Sequence, residues 1–270
     1  MSQLPLSQLP LSQLPVKMAD ERKLILVSND DGVRSPGIVA LAEAMKALGD
    51  VWIVAPDREQ SAAGHSISLG KPLRMETLSD RVVAVDGTPT DCVYMGLHHV
   101  LPRLPDLLVS GINWGGNLGN DVTYSGTVSA AMEGTVFGVP SIAFSQLRPR
   151  EADFARAAAF AVTVARWVLA KGLPRDTLLS VNFPPHMDPE KYMWAHLGKR
   201  NYGKLVDVRT DPRGRNYYWI GGDDIGADDR PGSDCNGVAE GWITISPVHM
   251  DLTNYDSLAQ LKAQRLEDVT

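Results

Sequence analysis

Cysteine is nearly missing: two in 270 residues, Cys92 and Cys235, at a spacing that fits no metal-binding motif. That excludes a thiolate zinc site and a disulfide-stapled scaffold. Two free thiols in a reducing compartment are the expectation, with the cytoplasm as default and a single disulfide as the other reading. Also lacking is a long apolar run. The most hydrophobic stretch, FARAAAFAVTVARWVLAKG at 154–172, is interrupted by Arg156 and Arg166, well short of the roughly 20 apolar residues that cross a bilayer. It reads as a buried helix, and no membrane partner is expected. Excess positive charge is absent as well, with 26 Lys and Arg against 32 Asp and Glu for a net charge of -6. Without a basic cluster the chain has no surface for tracking a nucleic-acid polymer.

Several phosphate motifs are missing too. The Gly-Lys pairs are followed by Pro72, Arg200 and Leu205, so there is no P-loop, and in GGNLG the place of the first fingerprint glycine is held by Trp114. An aspartyl nucleophile would want Asp-x-Asp before Gly32, yet position 29 is Asn, which disfavours covalent aspartyl chemistry. The acidic loop at 223–234 misses the calcium-loop spacing and reads as solvated. At the amino terminus, three SQLP repeats lack an early positive charge and a continuous apolar core, so residues 1–17 are expected to be a disordered, polyproline-like tail rather than a signal peptide, and Met18 is a candidate functional start.

What is present is an ordinary globular composition, 44% hydrophobic and 21% charged, with room for one or two domains. Strands are expected at 24–27, 51–55, 81–85, 106–110, 141–145 and 177–183. Helices are expected from Ser35 and Pro36 to 48, over 90–100, from Ser125 to 138 and over 154–169. Continuous apolar strands alternating with helices predict an α/β, Rossmann-like, three-layer αβα core with a mostly parallel sheet over 18–185. Beyond Pro184 and Pro185 the chain turns to scattered aromatics, a strand at 241–246 and a terminal helix from about 256. Residues 186–270 are expected to be a C-terminal extension used in subunit contacts.

In open α/β sheets the ligand crevice lies outside the strand carboxyl ends. There the sequence is rich in oxygen and glycine: NDDG at 29–32, APDREQSAAGHSIS at 55–68 and SGINWGGNLGNDVTYSGT at 110–127. Asp30 and Asp31 would face opposite ways on an ideal strand, but at a strand end before Gly32 both can turn to one centre. Two anions that close repel unless a cation sits between them, and the oxygen ligands on hand suit Mg²⁺ or Mn²⁺. The plainer alternative is that one of them caps the turn. YSGTVSAAMEG at 124–134 opens a helix at Ser125, where Gly126 permits close approach and Thr127 adds a hydroxyl, so it reads as a phosphate site or as an ordinary capped helix. His65 is a candidate general acid, or a histidine that is simply hydrogen-bonded.

Together, ILVSNDDG, VAPDREQSAAGHSIS, DGTPTDCV, SGINWGGNLGNDVTYSGTVSAAMEG, PSIAFS and GWITISPVHMDLTNY resemble the SurE family of survival-protein nucleotidases, in order and over about residues 24–255. The resemblance implies a metal-dependent phosphatase of nucleoside monophosphates, with an α/β core and a C-terminal portion exchanged between subunits of a homodimer or homotetramer. It places the metal ligands at Asp30, Asp31, Ser61 and Asn113, one divalent ion per subunit, and phosphate contacts at Ser125, Gly126 and Thr127. The loop at 57–63, DREQSAA, departs from the Asn-Arg and glycine that many relatives carry before the serine.

The expected activity is therefore hydrolysis of nucleoside 5′-monophosphates, with 3′-nucleotidase and exopolyphosphatase activity as further possibilities. Asp30 and Asp31 are the expected catalytic pair, Asn117 joins Ser125 to Thr127 in steadying charge on the phosphoryl group, and Asp30 could double as base. The rival from another class is a metal and nucleotide sensor without turnover. A hydrolase with Ser125 as nucleophile is the weaker rival, lacking a base at fixed spacing.

Overall fold

A computed structural model describes residues 22–147, 154–202, 206–220, 224–227 and 230–264. The expected tail, Met18 and part of the acidic loop lie outside them. In chain order the elements are β1 (Lys23–Ser28), α1 (Pro36–Met45), β2 (Gly49–Pro56), β3 (Met75–Ser79), β4 (Val82–Val85), α2 (Pro89–Met95), β5 (Leu107–Trp114), α3 (Gly126–Val136), β6 (Ser141–Gln146), α4 (Ala155–Lys171) and β7 (Thr177–Phe183). There follow β8 (Tyr192–Trp194), β9 (Arg200–Tyr202), β10 (Val206–Thr210), β11 (Asn216–Ile220), β12 (Asp224–Ala227), α5 (Asp234–Ala239), β13 (Ile243–His249) and α6 (Tyr255–Leu261).

Among the described residues one sheet runs β3-β4-β2-β1-β5-β6-β7-β13-β8. From β4 to β7 every neighbouring pair is parallel. The chain moves outward from β1 to β2 and β4, then returns to lay β5 on the other side of β1. That reversal opens a crevice between the carboxyl ends of β1 and β5, the switch point where open α/β sheets bind ligands. β3 and β13 flank the parallel part as antiparallel neighbours, of β4 and β7 respectively. The strand expected at 241–246 is β13, so part of the chain beyond 185 completes the core sheet.

Alternate strand residues go to opposite faces. Ile25, Val27, Leu107 and Val109 pack with Ile38 and Leu41 of α1 and Phe160 of α4. Leu24, Leu26 and Leu108 pack with Val93 of α2 and Val128 of α3. A three-layer α/β fold results. Each fully buried Leu or Ile contributes about 1.5–3 kcal/mol, which explains why the strands read as unbroken apolar runs.

Local expectations differ from the structure in instructive ways. The helix expected over 90–100 is α2 through Met95 and then a π-helical turn, Gly96–Val100. β5 continues past the expected end at 110 to Trp114, because its ladder with β6 resumes after a register shift between Ser110 and Asn113. Gly111 (φ +124°) lies within that shift, where an added Cβ would stand 2.3 Å from the Phe144 carbonyl oxygen. Ser35 holds the N-cap position of α1 without a side-chain cap bond; its hydroxyl instead accepts from Asn29 Nδ2 at 2.8 Å. No helix of the described residues is long and apolar enough to cross a membrane.

Candidate active site

At the β1/β5 switch point lies a cavity of about 500 Å³, lined among others by Asp30, Asp31, Ser61, Asn113, Asn117 and Ser125. The strand pairing explains how four segments distant in sequence arrive together. Asp30 and Asp31 follow the end of β1, and Asn113 lies near the end of β5. Ser61 belongs to the loop after β2, and that loop is tied back by the Gln60 amide donating to the Asp30 carbonyl at 2.8 Å.

Asp30 is 5% exposed. Its Oδ1 accepts a short hydrogen bond from the Thr127 hydroxyl. Burial pushes its carboxyl up to about 6; the Thr127 hydroxyl pulls it down, and the neighbouring Asp31 charge pushes it up again. Asp31 is raised as well, first by burial, against the Trp114 amide that donates to its Oδ2 at 3.3 Å, with the Glu59 carboxylate adding to the rise. Two adjacent acids, both disfavoured as anions, form a pocket that a cation stabilises.

The donors fit a divalent ion of the hard kind. Asn113 Nδ2 donates to the Gly115 carbonyl at 2.8 Å, which leaves the amide oxygen as the end able to coordinate. Among the described residues no group of three His, Cys, Asp or Glu side chains could hold a metal, so the two carboxylates need neutral oxygens to complete a ligand set. Ser61 and Asn113 carry such oxygens.

The opposite wall is the start of α3. Ser125 caps the helix, its Oγ accepting from the Val128 amide at 3.1 Å. Gly126 is needed there, since a Cβ would lie 2.7 Å from Asp30 Cβ and 3.0 Å from Pro89 Cγ. Asn117 is held rigidly: its backbone amide donates to Asn182 Oδ1 at 2.8 Å and its Nδ2 to Ser145 Oγ at 2.8 Å. The Thr127 hydroxyl is turned to Asp30 rather than outward.

His65 stands apart from the cavity lining. Its Nε2 lies 2.7 Å from Glu133 Oε2, a largely buried carboxylate on α3. Residues that the sequence did not single out also line the cavity: Glu59, Asp121, Trp114, Tyr124 and Tyr202. Glu59 could have been flagged as an acid two residues before Ser61. Tyr202 could not, because only the fold of the chain beyond 185 brings it near, with its hydroxyl donating to Asp121 Oδ1 at 2.5 Å.

Comparison with known proteins agrees with this architecture. A protein from Geotalea uraniireducens named 5′-nucleotidase SurE is 55% identical over 242 residues, covering 88% of this chain and 97% of that protein. One of the same name from Myxococcus xanthus is 50% identical, covering 93% and 96%. The crystal structure of the SurE protein from Aquifex aeolicus superposes with a TM-score of 0.80 at 44% identity, covering 91% of this chain and all of that one. The family model described as survival protein SurE matches residues 25–204, and the chain belongs to the SurE family.

Proposed function

We propose that the protein is a metal-dependent phosphomonoesterase that hydrolyses nucleoside 5′-monophosphates to nucleoside and phosphate. The observation that carries this is the meeting, in one cavity, of the Asp30–Asp31 pair with the amino end of α3. A cation pocket beside the amino end of a helix, where backbone donors and the helix dipole favour negative charge, is the arrangement a phosphate ester requires. The relatives named 5′-nucleotidase support the substrate class. So does the rest of the lining: Trp114, Tyr124 and Tyr202 are aromatic, the residue type on which a nucleobase stacks.

In this reading Asp30, Asp31, Ser61 and Asn113 would hold one Mg²⁺ or Mn²⁺ ion per subunit, which would supply Lewis-acid charge and lower the pKa of water at the site. Asp30 takes a proton from the attacking water as the new O–P bond forms. The ester P–O bond breaks in line with it, and the nucleoside oxygen leaves with a proton from solvent. Asn117, Ser125 and the Gly126 amide steady the charge on the transferring group. Thr127 contributes through Asp30, whose Oδ1 it already binds. His65, held on Glu133, anchors the loop that carries Ser61.

Residues 186–270 supply the subunit contact. In the β10–β11 hairpin Val206 pairs with Ile220 and Val208 with Tyr218, so four exposed apolar side chains share one face. Such a patch suits a homodimer or homotetramer. The buried free thiols of Cys92 and Cys235 fit a reducing compartment, and we place the protein in the cytoplasm.

The test is phosphate release from AMP with Mn²⁺ or Mg²⁺, before and after chelation, in wild type, Asp30→Asn and Ser125→Ala. Metal-dependent release lost in Asp30→Asn and reduced but not abolished in Ser125→Ala is the expected result, since Ser125 steadies charge and is not the nucleophile. Wild type that binds metal and AMP yet releases no phosphate would make the protein a sensor.

A further inference from the structure

The loop from 57 to 68 is fastened at several points, but Ser61 itself is exposed. The fastenings include backbone bonds at Gln60 and Gly64, to the Asp30 and Tyr124 carbonyls, the His65–Glu133 contact, and the Ser68 amide donating to Asp91. None of them fixes the Ser61 side chain. An exposed serine samples its staggered rotamers freely, and its hydroxyl carries one proton that must point somewhere. For that oxygen to serve a cation, the proton has to be directed away from the cation.

The Ser61 hydroxyl donates to Glu59 Oε1 at 2.7 Å. Glu59 lines the same cavity, yet it makes no third acid of a metal cluster among the described residues. We propose that Glu59 is a positioning residue: its carboxylate takes the Ser61 proton in a hydrogen bond and so turns the Ser61 oxygen lone pairs toward the Asp30–Asp31 site. This rests on the metal-site reading given above and adds to it a residue that binds no metal itself. Outer partners of ligands act in this way in metal sites generally, by fixing the orientation of the ligating group.

Removing Glu59 also removes a negative charge near a cation, and that effect has to be separated from the hydrogen bond. Glutamine makes the separation possible, because its side-chain carbonyl still accepts from Ser61 while the charge is gone. Mn²⁺ binding to the metal-free protein is therefore measured by titration calorimetry in wild type, Asp31→Asn, Glu59→Gln, Glu59→Ala, Ser61→Ala, and the two double variants that combine Ser61→Ala with a Glu59 change. Glu59→Ala is expected to bind Mn²⁺ about tenfold more weakly than Glu59→Gln, within the range seen for outer partners of metal ligands. In the Ser61→Ala background the two Glu59 variants should bind alike. Equal affinity of Glu59→Ala and Glu59→Gln with Ser61 present overturns the proposal, and so does a difference that persists without Ser61. Failure of the underlying metal site looks different: Asp31→Asn would then bind Mn²⁺ as well as wild type, or wild type would not bind it at all.

Discussion

Thr127 and Asp30, 97 residues apart in the chain, are joined by a hydrogen bond from the threonine hydroxyl to the carboxylate inside the cavity wall. The helix start and the strand end thus form one unit. Hydrogen bonds to charged groups contribute roughly 1.5–3 kcal/mol, which corresponds to about a 10- to 100-fold effect if all of it bears on the reacting geometry. Thr127→Val keeps the shape and deletes the donor, so kcat for AMP at saturating Mn²⁺ should fall by about that factor. Thr127→Ser keeps the donor and should stay within a few-fold of wild type. Equal losses in both variants would mean that packing of the methyl group matters and the hydrogen bond does not.

Gly126 gives a prediction in which two effects oppose each other. Replacing glycine by alanine inside a helix stabilises it by up to about 1 kcal/mol. Here the added methyl would sit 2.7 Å from Asp30 Cβ and 2.9 Å from Asp30 Oδ2, and it has no room without displacing that side chain. The clash should win. Gly126→Ala is expected to melt at or below the wild-type temperature and to lose most Mn²⁺ affinity. A higher melting temperature with unchanged metal binding would show that the contact relaxes at no cost.

Much of this was legible in the sequence because it depended on local chemistry. The strand ends announced themselves through acids, amides and glycine after apolar runs, and the switch-point rule turned those positions into one place. The parts that were not legible depended on tertiary pairing. The apolar run of β5 ends at Ser110, where Gly111 interrupts it, yet pairing with β6 resumes beyond and carries Asn113 into the ladder. β3, METLS, has no apolar face to signal a strand and exists as an edge on β4. Tyr202 comes to the cavity from a segment with no periodicity at all. The direction of the Thr127 hydroxyl, inward to Asp30, is a rotamer choice that no spacing encodes.

His65 tests how far an imidazole in a catalytic loop can be read as an acid. Loss of a general acid costs about 10²–10⁴ in rate. A histidine that only anchors a loop through Glu133 costs far less. His65→Gln, which keeps a donor for Glu133, is expected to retain kcat for AMP within about threefold, with Glu133→Gln behaving similarly. A hundredfold loss in His65→Gln that disappears with a phenyl phosphate bearing a good leaving group would return His65 to the acid role.

Asp106 ties the start of β1 to the approach of β5: its Oδ2 accepts from the Leu24 amide at 2.9 Å and from Arg103 at 2.9 Å, and its Oδ1 from Lys23 at 3.1 Å. Burial alone would raise its carboxyl, but hydrogen bonds from the Leu24 amide, Arg103 and Lys23, with the Arg103 charge, outweigh that and hold it below the usual carboxylate range. A carboxylate with a folded pKa below its unfolded value of 3.8 binds fewer protons in the folded chain than in the unfolded one across that interval. Its stabilisation is therefore complete above pH 3.8 and is lost as pH falls toward the folded value. Asp106→Asn should lower stability at pH 7 by about 1 kcal/mol, the scale of hydrogen bonds to a charged group reduced by solvent screening at a partly exposed site. The gap to wild type should close only below about pH 3.8. Urea unfolding of both proteins at pH 7, 5 and 3 measures this directly, and a constant gap at all three values would mean that Asp106 acts through shape and not through charge.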